Sequence, residues 1–190
     1  PIYHTPFTCM VVADVCDKGV GAAMFMVLLR SLIRSNSERF QQDEPSQMVL
    51  HMAQSVNQYI VHTHGQSNMF ATLVLGILDP AARRLYYVNG GHDAPLLVDA
   101  RGKTKQALES TGPAFGCTTD LNFEAGSIDF GPGDVLLAYT DGFTEARNAS
   151  GDFYGDERFA GEAAGEWTSA FSAVKHLELA VFSHMAGQPQ

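Results

Sequence analysis

The period of apolar and polar positions changes several times along the chain, and each change marks an element. Phe7 to Ala13, FTCMVVA, is a short β-rich apolar run ending at Asp14, which predicts a buried strand. After the turn Asp17-Lys18-Gly19, the stretch Gly21 to Arg34 carries Ala, Met and Leu almost all round. Arg30 and Arg34 fall near its end, where the helix dipole favours cations, so a largely buried helix is expected. Pro45 opens a second helix through about Ile60, with Met48, Met52, Val56 and Tyr59 at helical spacing. From Met69 the period shortens. MFATLVLGILD, RRLYYVNGG and PLLVDA, separated by Asp79-Pro80, Gly90-Gly91 and Arg101-Gly102, predict an antiparallel meander. A strand pair follows, Phe123 to Phe130 and Asp134 to Tyr139, joined by Gly131-Pro132-Gly133. From Asp156 the pattern returns to helix, first through Ala164 and then, with Thr168 as cap, through about Met185.

This order predicts an α+β fold with helices packed on sheet faces. At 190 residues, 45% of them apolar, the chain can bury one core, and length argues for one domain. A formal charge of −9 disfavours nucleic acid as a partner, because such affinity comes largely from Lys and Arg neutralising phosphates. Cys9, Cys16 and Cys117 are odd in number and lack C-x-x-C spacing, which argues against a disulfide framework or structural zinc and for a reducing cytoplasm. The longest apolar runs are about ten residues where a bilayer span needs about 20, so no membrane insertion is expected. Pro1 to Thr8 lack the basic and apolar regions of a signal peptide.

Two carboxylates carry the candidate chemistry. Asp14 follows the first apolar strand, and Asp141, in Tyr139-Thr140-Asp141-Gly142, repeats the arrangement after Val135 to Ala138. Two strand-end carboxylates suit a hard cation, since Mg²⁺ and Mn²⁺ choose oxygen ligands and usually keep several waters. Taken singly, Asp-Gly between strands also makes a turn, and Asp14 also serves as a helix cap; the residues alone leave these readings open.

Three stretches, ADVCDKGVGAAMFM (Ala13 to Met26), MFATLVLGILDPAARRLYYVNGGHDAPLLV (Met69 to Val98) and GPGDVLLAYTDGFTEARN (Gly131 to Asn148), together resemble the signature blocks of the SpoIIE-like, or RsbU-type, branch of PPM-type (protein phosphatase 2C-like) serine/threonine phosphatases. FYGDERF, Phe153 to Phe159, resembles the family's following helix entry. The resemblance implies an α-β-β-α sandwich of two antiparallel sheets flanked by helices. It implies a cytoplasmic hydrolase that acts on phosphoserine or phosphothreonine through a metal-activated water, with Mn²⁺ or Mg²⁺, two ions in number. Asp14, the backbone carbonyl of Val15 and Asp141 would bind the metal, and Gly142 would keep the Asp141 loop tight. The implied partner is a phosphorylated protein, commonly an anti-sigma-factor antagonist in a partner-switching system, with a homodimer left open. The family's G-G-D-x-x-D block and its D-D-x-T strand, each bringing a further metal-binding aspartate, have no counterpart here. Residues 1–190 therefore read as a single phosphatase domain lacking the N-terminal acidic block and the C-terminal strand, truncated at both ends, with metal binding weakened. The alternative is a catalytically impaired, phosphatase-like regulatory or phosphoprotein-binding module.

Other residues take a plainer reading. His92, in Asn89-Gly90-Gly91-His92-Asp93, fits the family's A-G-H-N-like turn and is read as structural. Lys18 reads as a solvated turn lysine. Met24, Met26, Met48 and Met52 read as core fillers, and His51, His62 and His64 lack zinc-ligand spacing. The helix from Gly21 to Arg34, behind the Asp14 loop, is the expected seat of regulation.

Overall fold

The computed structural model describes residues 5–65, 69–119 and 122–186. In chain order they form β1 (Thr8–Val15), α1 (Val20–Arg39), α2 (Pro45–His64), β2 (Ala71–Asp79), β3 (Arg84–Gly90), β4 (Leu96–Val98), β5 (Thr104–Ala107), β6 (Gly126–Asp129), β7 (Val135–Leu137), α3 (Asp141–Thr144), α4 (Asp156–Ala163) and α5 (Ala170–Met185). Two antiparallel sheets result, β1-β2-β3-β6 and β5-β4-β7, with flanking helices, which is the α+β class the pattern predicts. Residues from 187 on, where the resemblance would begin a further strand, lie outside the described residues. The chain divides into two compact units, Pro1–His92 with Glu109–Phe130, and Asp93–Leu108 with Gly131–Gln190.

The first unit packs α1 and α2 on one face of the four-stranded sheet. Ala71, Leu73, Leu75 and Ile77 alternate along β2 toward the helices and meet Leu29, Met48, Met52, Val56 and Ile60 in one apolar cluster. Met48 and Met52 fill the core as expected, but Met24 is 69% exposed. α1 extends five residues beyond the expected Arg34 and is not buried all round. Only Phe25, Leu29, Ile33, Asn36 and Ser37 are buried, while Val20 and Val27 stand with Met24 in solvent. Ala, Met and Leu favour a helix wherever it lies, so composition overstated its burial; cover comes from one side, where α2 and the sheet pack. β1 likewise is half-buried rather than buried, because it is an edge strand of its sheet, and Val11 is 38% exposed. Asn57, fully buried on α2, donates through Nδ2 to the Thr118 carbonyl (3.0 Å) and accepts from the Gly116 N–H (2.8 Å), tying the helix to a segment about sixty residues away.

The second unit centres on Val98, Leu137, Tyr154, Phe159, Ala163, Ala173 and Leu177. Its last helix starts from a reciprocal cap: Ser169 Oγ accepts from the Ser172 N–H, and Ser172 Oγ accepts from the Ser169 N–H, both at 3.1 Å. The cap is thus Ser169 and not Thr168.

Strand partners differ from the expected meander. β2 and β3 pair as predicted, but PLLVDA supplies β4, which joins the other sheet between β5 and β7. The expected pair of strands around Gly131-Pro132-Gly133 is also split: β6 pairs with β3, and β7 with β4. The connection closes on itself, with the Gly131 N–H donating to the Asp134 carboxylate (2.8 Å), the Asp134 N–H to the Gly131 carbonyl (3.1 Å) and Gly133 at φ 83°. That geometry turns the chain without aligning the flanking strands. β5, TKQA, is polar and mostly exposed, and no apolar period announces it.

Candidate metal and phosphoryl-transfer site

Asp14 is the penultimate residue of β1, opposite Thr72 of β2, and Val15 follows opposite Ala71. Ala13 and Val15 pack into the cluster beneath α1 and α2, so strand alternation puts Asp14 and Thr72 together on the other face, Cβ atoms about 5 Å apart. Asp14 is half-buried as a residue, and its carboxylate makes no hydrogen bond or ion pair among the described residues. Beyond it the ladder continues through the Cys16 N–H to the Phe70 carbonyl (3.0 Å). The chain then turns at Asp17 (φ 71°), whose Oδ1 accepts the exposed Lys18 N–H (2.8 Å), and enters α1 through Gly19 (φ 85°). Asp14 is therefore held inside a ladder rather than on a loop, and its backbone is fixed.

Asp141 has a different setting from the expected strand end. β7 stops at Leu137, and Asp141 opens the short helix α3, exposed. Its carbonyl accepts the Glu145 N–H (2.7 Å) and the Thr144 hydroxyl (3.4 Å), while its carboxylate has no partner among the described residues. Aromatic packing steadies this segment: Tyr139 and Phe143 lie against Phe159 with ring centroids 3.9 and 5.3 Å apart, and Phe143 meets Tyr154 edge-on. Gly142 is not what tightens the loop, since its φ is not positive and an added Cβ would meet only Thr140 Oγ1 at 3.9 Å. Asp14 and Asp141 belong to different units of the chain.

His92 is the residue that sequence reasoning set aside. The fully buried Asn89 clamps its backbone, with Asn89 Oδ1 accepting the His92 N–H (2.8 Å) and Asn89 Nδ2 donating to the His92 carbonyl (3.0 Å), across Gly91 at φ 68°. Gly90 has no room for a side chain: a Cβ there would lie 2.4 Å from the Phe115 ring. Held this way, His92 is 6% exposed, with Nδ1 3.0 Å from Thr72 Oγ1 and Nε2 buried without a hydrogen-bond partner among the described residues. The Asn-Gly-Gly-His turn was visible in the sequence, but its approach to Thr72, and so to Asp14, depends on strand register.

The oxygen donors present fit a hard divalent cation. Asp14 and Val15 are consecutive residues that offer a carboxylate and a backbone carbonyl, and Mg²⁺-like ions accept one or two carboxylates while retaining water. Among the described residues no three His, Cys, Asp or Glu gather as a closed metal cage.

Two antiparallel sheets with flanking helices define the class first. The PP2C phosphatase domain of SpoIIE from Bacillus subtilis has this fold, with a TM-score of 0.74 at 17% identity over 96% of this chain and 51% of that one. Residues 7–189 match the family described as stage II sporulation protein E (SpoIIE), and the chain belongs to that family. Among its relatives, protein IcfG of Synechocystis sp. is 32% identical over 204 residues, covering 97% of this chain and 32% of IcfG. Phosphoserine phosphatase RsbU of Bacillus subtilis is 25% identical over 140 residues, covering 74% of this chain and 40% of RsbU. The chain thus spans a third to two fifths of the length of these relatives, and the resemblance to SpoIIE-like, RsbU-type PPM phosphatases is established.

Proposed function

We propose that these residues form a single metal-dependent protein phosphatase domain hydrolysing phosphoserine or phosphothreonine, with Asp14, the Val15 carbonyl and Asp141 as ligands to Mn²⁺ or Mg²⁺. The observation that carries this reading is the carboxylate of half-buried Asp14, without a partner among the described residues and fixed at the end of β1 in a chain of the SpoIIE family. A carboxylate oxygen without a protein partner is open to a hard divalent cation, which takes oxygen ligands. The ladder on one side and the Asp17 turn on the other hold the backbone of Asp14 and Val15 in place. When bound, the cation supplies Lewis acidity toward water and a phosphoryl oxygen.

The relative RsbU carries the name phosphoserine phosphatase, which supports a phosphorylated protein as substrate. An anti-sigma-factor antagonist is the particular substrate we propose, and the cytoplasm the compartment. Among the described residues no helix is long and apolar enough to cross a membrane. The test is hydrolysis of p-nitrophenyl phosphate and of a phosphoserine antagonist protein with Mn²⁺. Asp14→Asn and Asp141→Asn are each expected to cost at least about 100-fold, more than loss of an outer-shell partner costs. Turnover that persists in excess EDTA, or that Asp141→Asn leaves unchanged, rules the reading out. A second reading, a non-catalytic phosphoprotein-binding module, draws support from the lack of a three-group cage among the described residues. It predicts tight capture of the phosphorylated antagonist without phosphate release.

A further inference from the structure

We infer that His92 and Thr72 are positioning residues for the Asp14 carboxylate, forming a relay that runs Asn89, His92, Thr72, Asp14 across the first sheet. The inference rests on the metal-site reading of Asp14.

Three observations converge on it. His92 is 94% withdrawn from solvent and clamped through its backbone by a fully buried Asn89, so its direction is set. Its Nδ1 lies 3.0 Å from Thr72 Oγ1, and Thr72 is the residue directly opposite Asp14 in the β1–β2 register, on the same face. Its Nε2 is buried and has no hydrogen-bond partner among the described residues.

The last point assigns the protons. A buried N–H without an acceptor is rarer and costlier than a lone pair without a donor. The hydrogen of the neutral ring therefore belongs on Nδ1, donating to Thr72 Oγ1. The Thr72 hydroxyl then keeps its own hydrogen for the Asp14 side of the sheet, reaching the carboxylate through one water, since the two make no direct hydrogen bond among the described residues. The opposite tautomer would spend the Thr72 hydrogen on the ring and leave a buried Nε2–H facing nothing. Hydrogen bonds of this kind orient a ligating carboxylate, and their loss typically weakens metal binding about 10- to 100-fold.

Calorimetric titration of the chain with Mn²⁺, folding verified by circular dichroism, separates the inference from the reading beneath it. Asp14→Asn should abolish binding; if it binds Mn²⁺ as well as wild type, the metal-site reading itself fails. With that satisfied, Thr72→Val should weaken Mn²⁺ about 10-fold, and Thr72→Ser should restore it to within about 3-fold. His92→Phe should match Thr72→Val, and the double variant should lose no more than either one. An unchanged affinity in Thr72→Val, or fully additive losses, overturns the relay. If His92→Phe does not fold, the Thr72 pair still decides, together with the imidazole nitrogen chemical shifts. Those should show the Nδ1–H tautomer; an Nε2–H ring overturns the proposal.

Discussion

At the scale of single residues, position within the fold outweighs identity. Met52 and Met24 are the same side chain on neighbouring helices, yet one is fully buried and the other 69% exposed. Cys9 shows the electrostatic counterpart. It packs against the α1–α2 cluster, and burial pushes its thiol from an ordinary value of 9.0 up to about 11. Below pH 9 the thiol is protonated in both folded and unfolded chains and contributes no pH dependence. Between pH 9 and about 11 the unfolded chain releases the proton first, so stability falls as pH rises through that window, by about 2 kcal/mol in all. Urea denaturation at pH 8.5 and pH 11 should show this loss, and Cys9→Ala should remove its share of the slope.

At the scale of elements, local rules hold where an element depends on its own residues. The α5 start is an example: Ser169 and Ser172 satisfy each other's backbone N–H groups, whereas Thr168, the residue favoured by pattern, only reaches Ser172 Oγ at 3.4 Å. Ser169→Ala should cost about 1 kcal/mol and Thr168→Ala much less, measured by thermal denaturation. β1 and α1 show the opposite case. Their sequences announce a strand and a helix correctly, but how much of each is buried follows from β1 being a sheet edge and α1 having cover on one side. β5 had no legible pattern, since an exposed strand needs no apolar alternation.

At the scale of the whole molecule, long-range contacts decide what the elements do together. Asn57, fully buried, bonds to Gly116 and Thr118 from about sixty residues away. Asn57→Leu leaves both backbone groups unpaired and should cost about 2 to 4 kcal/mol, read from the urea midpoint at unchanged slope. The same dependence on distant partners explains which parts of the site were legible. Asp14 and Asp141 stood out because each closes or follows an apolar run within a recognisable block, Val15 entered through the resemblance alone, and their order along the chain is a local fact. His92 and Thr72 did not, because they lie twenty residues apart and meet only through the registers of β1, β2 and β3 and the Asn89 clamp. Short-range periodicity and turn chemistry thus determined most of the elements and the α+β class, and singled out the two carboxylates as candidates. Strand pairing, the division of the strands between two sheets, the burial of α1 and the setting of Asp141 were decided by tertiary structure. Hydrogen-bonded register and cover by neighbours are properties of partners far away in the chain, and no local pattern encodes them.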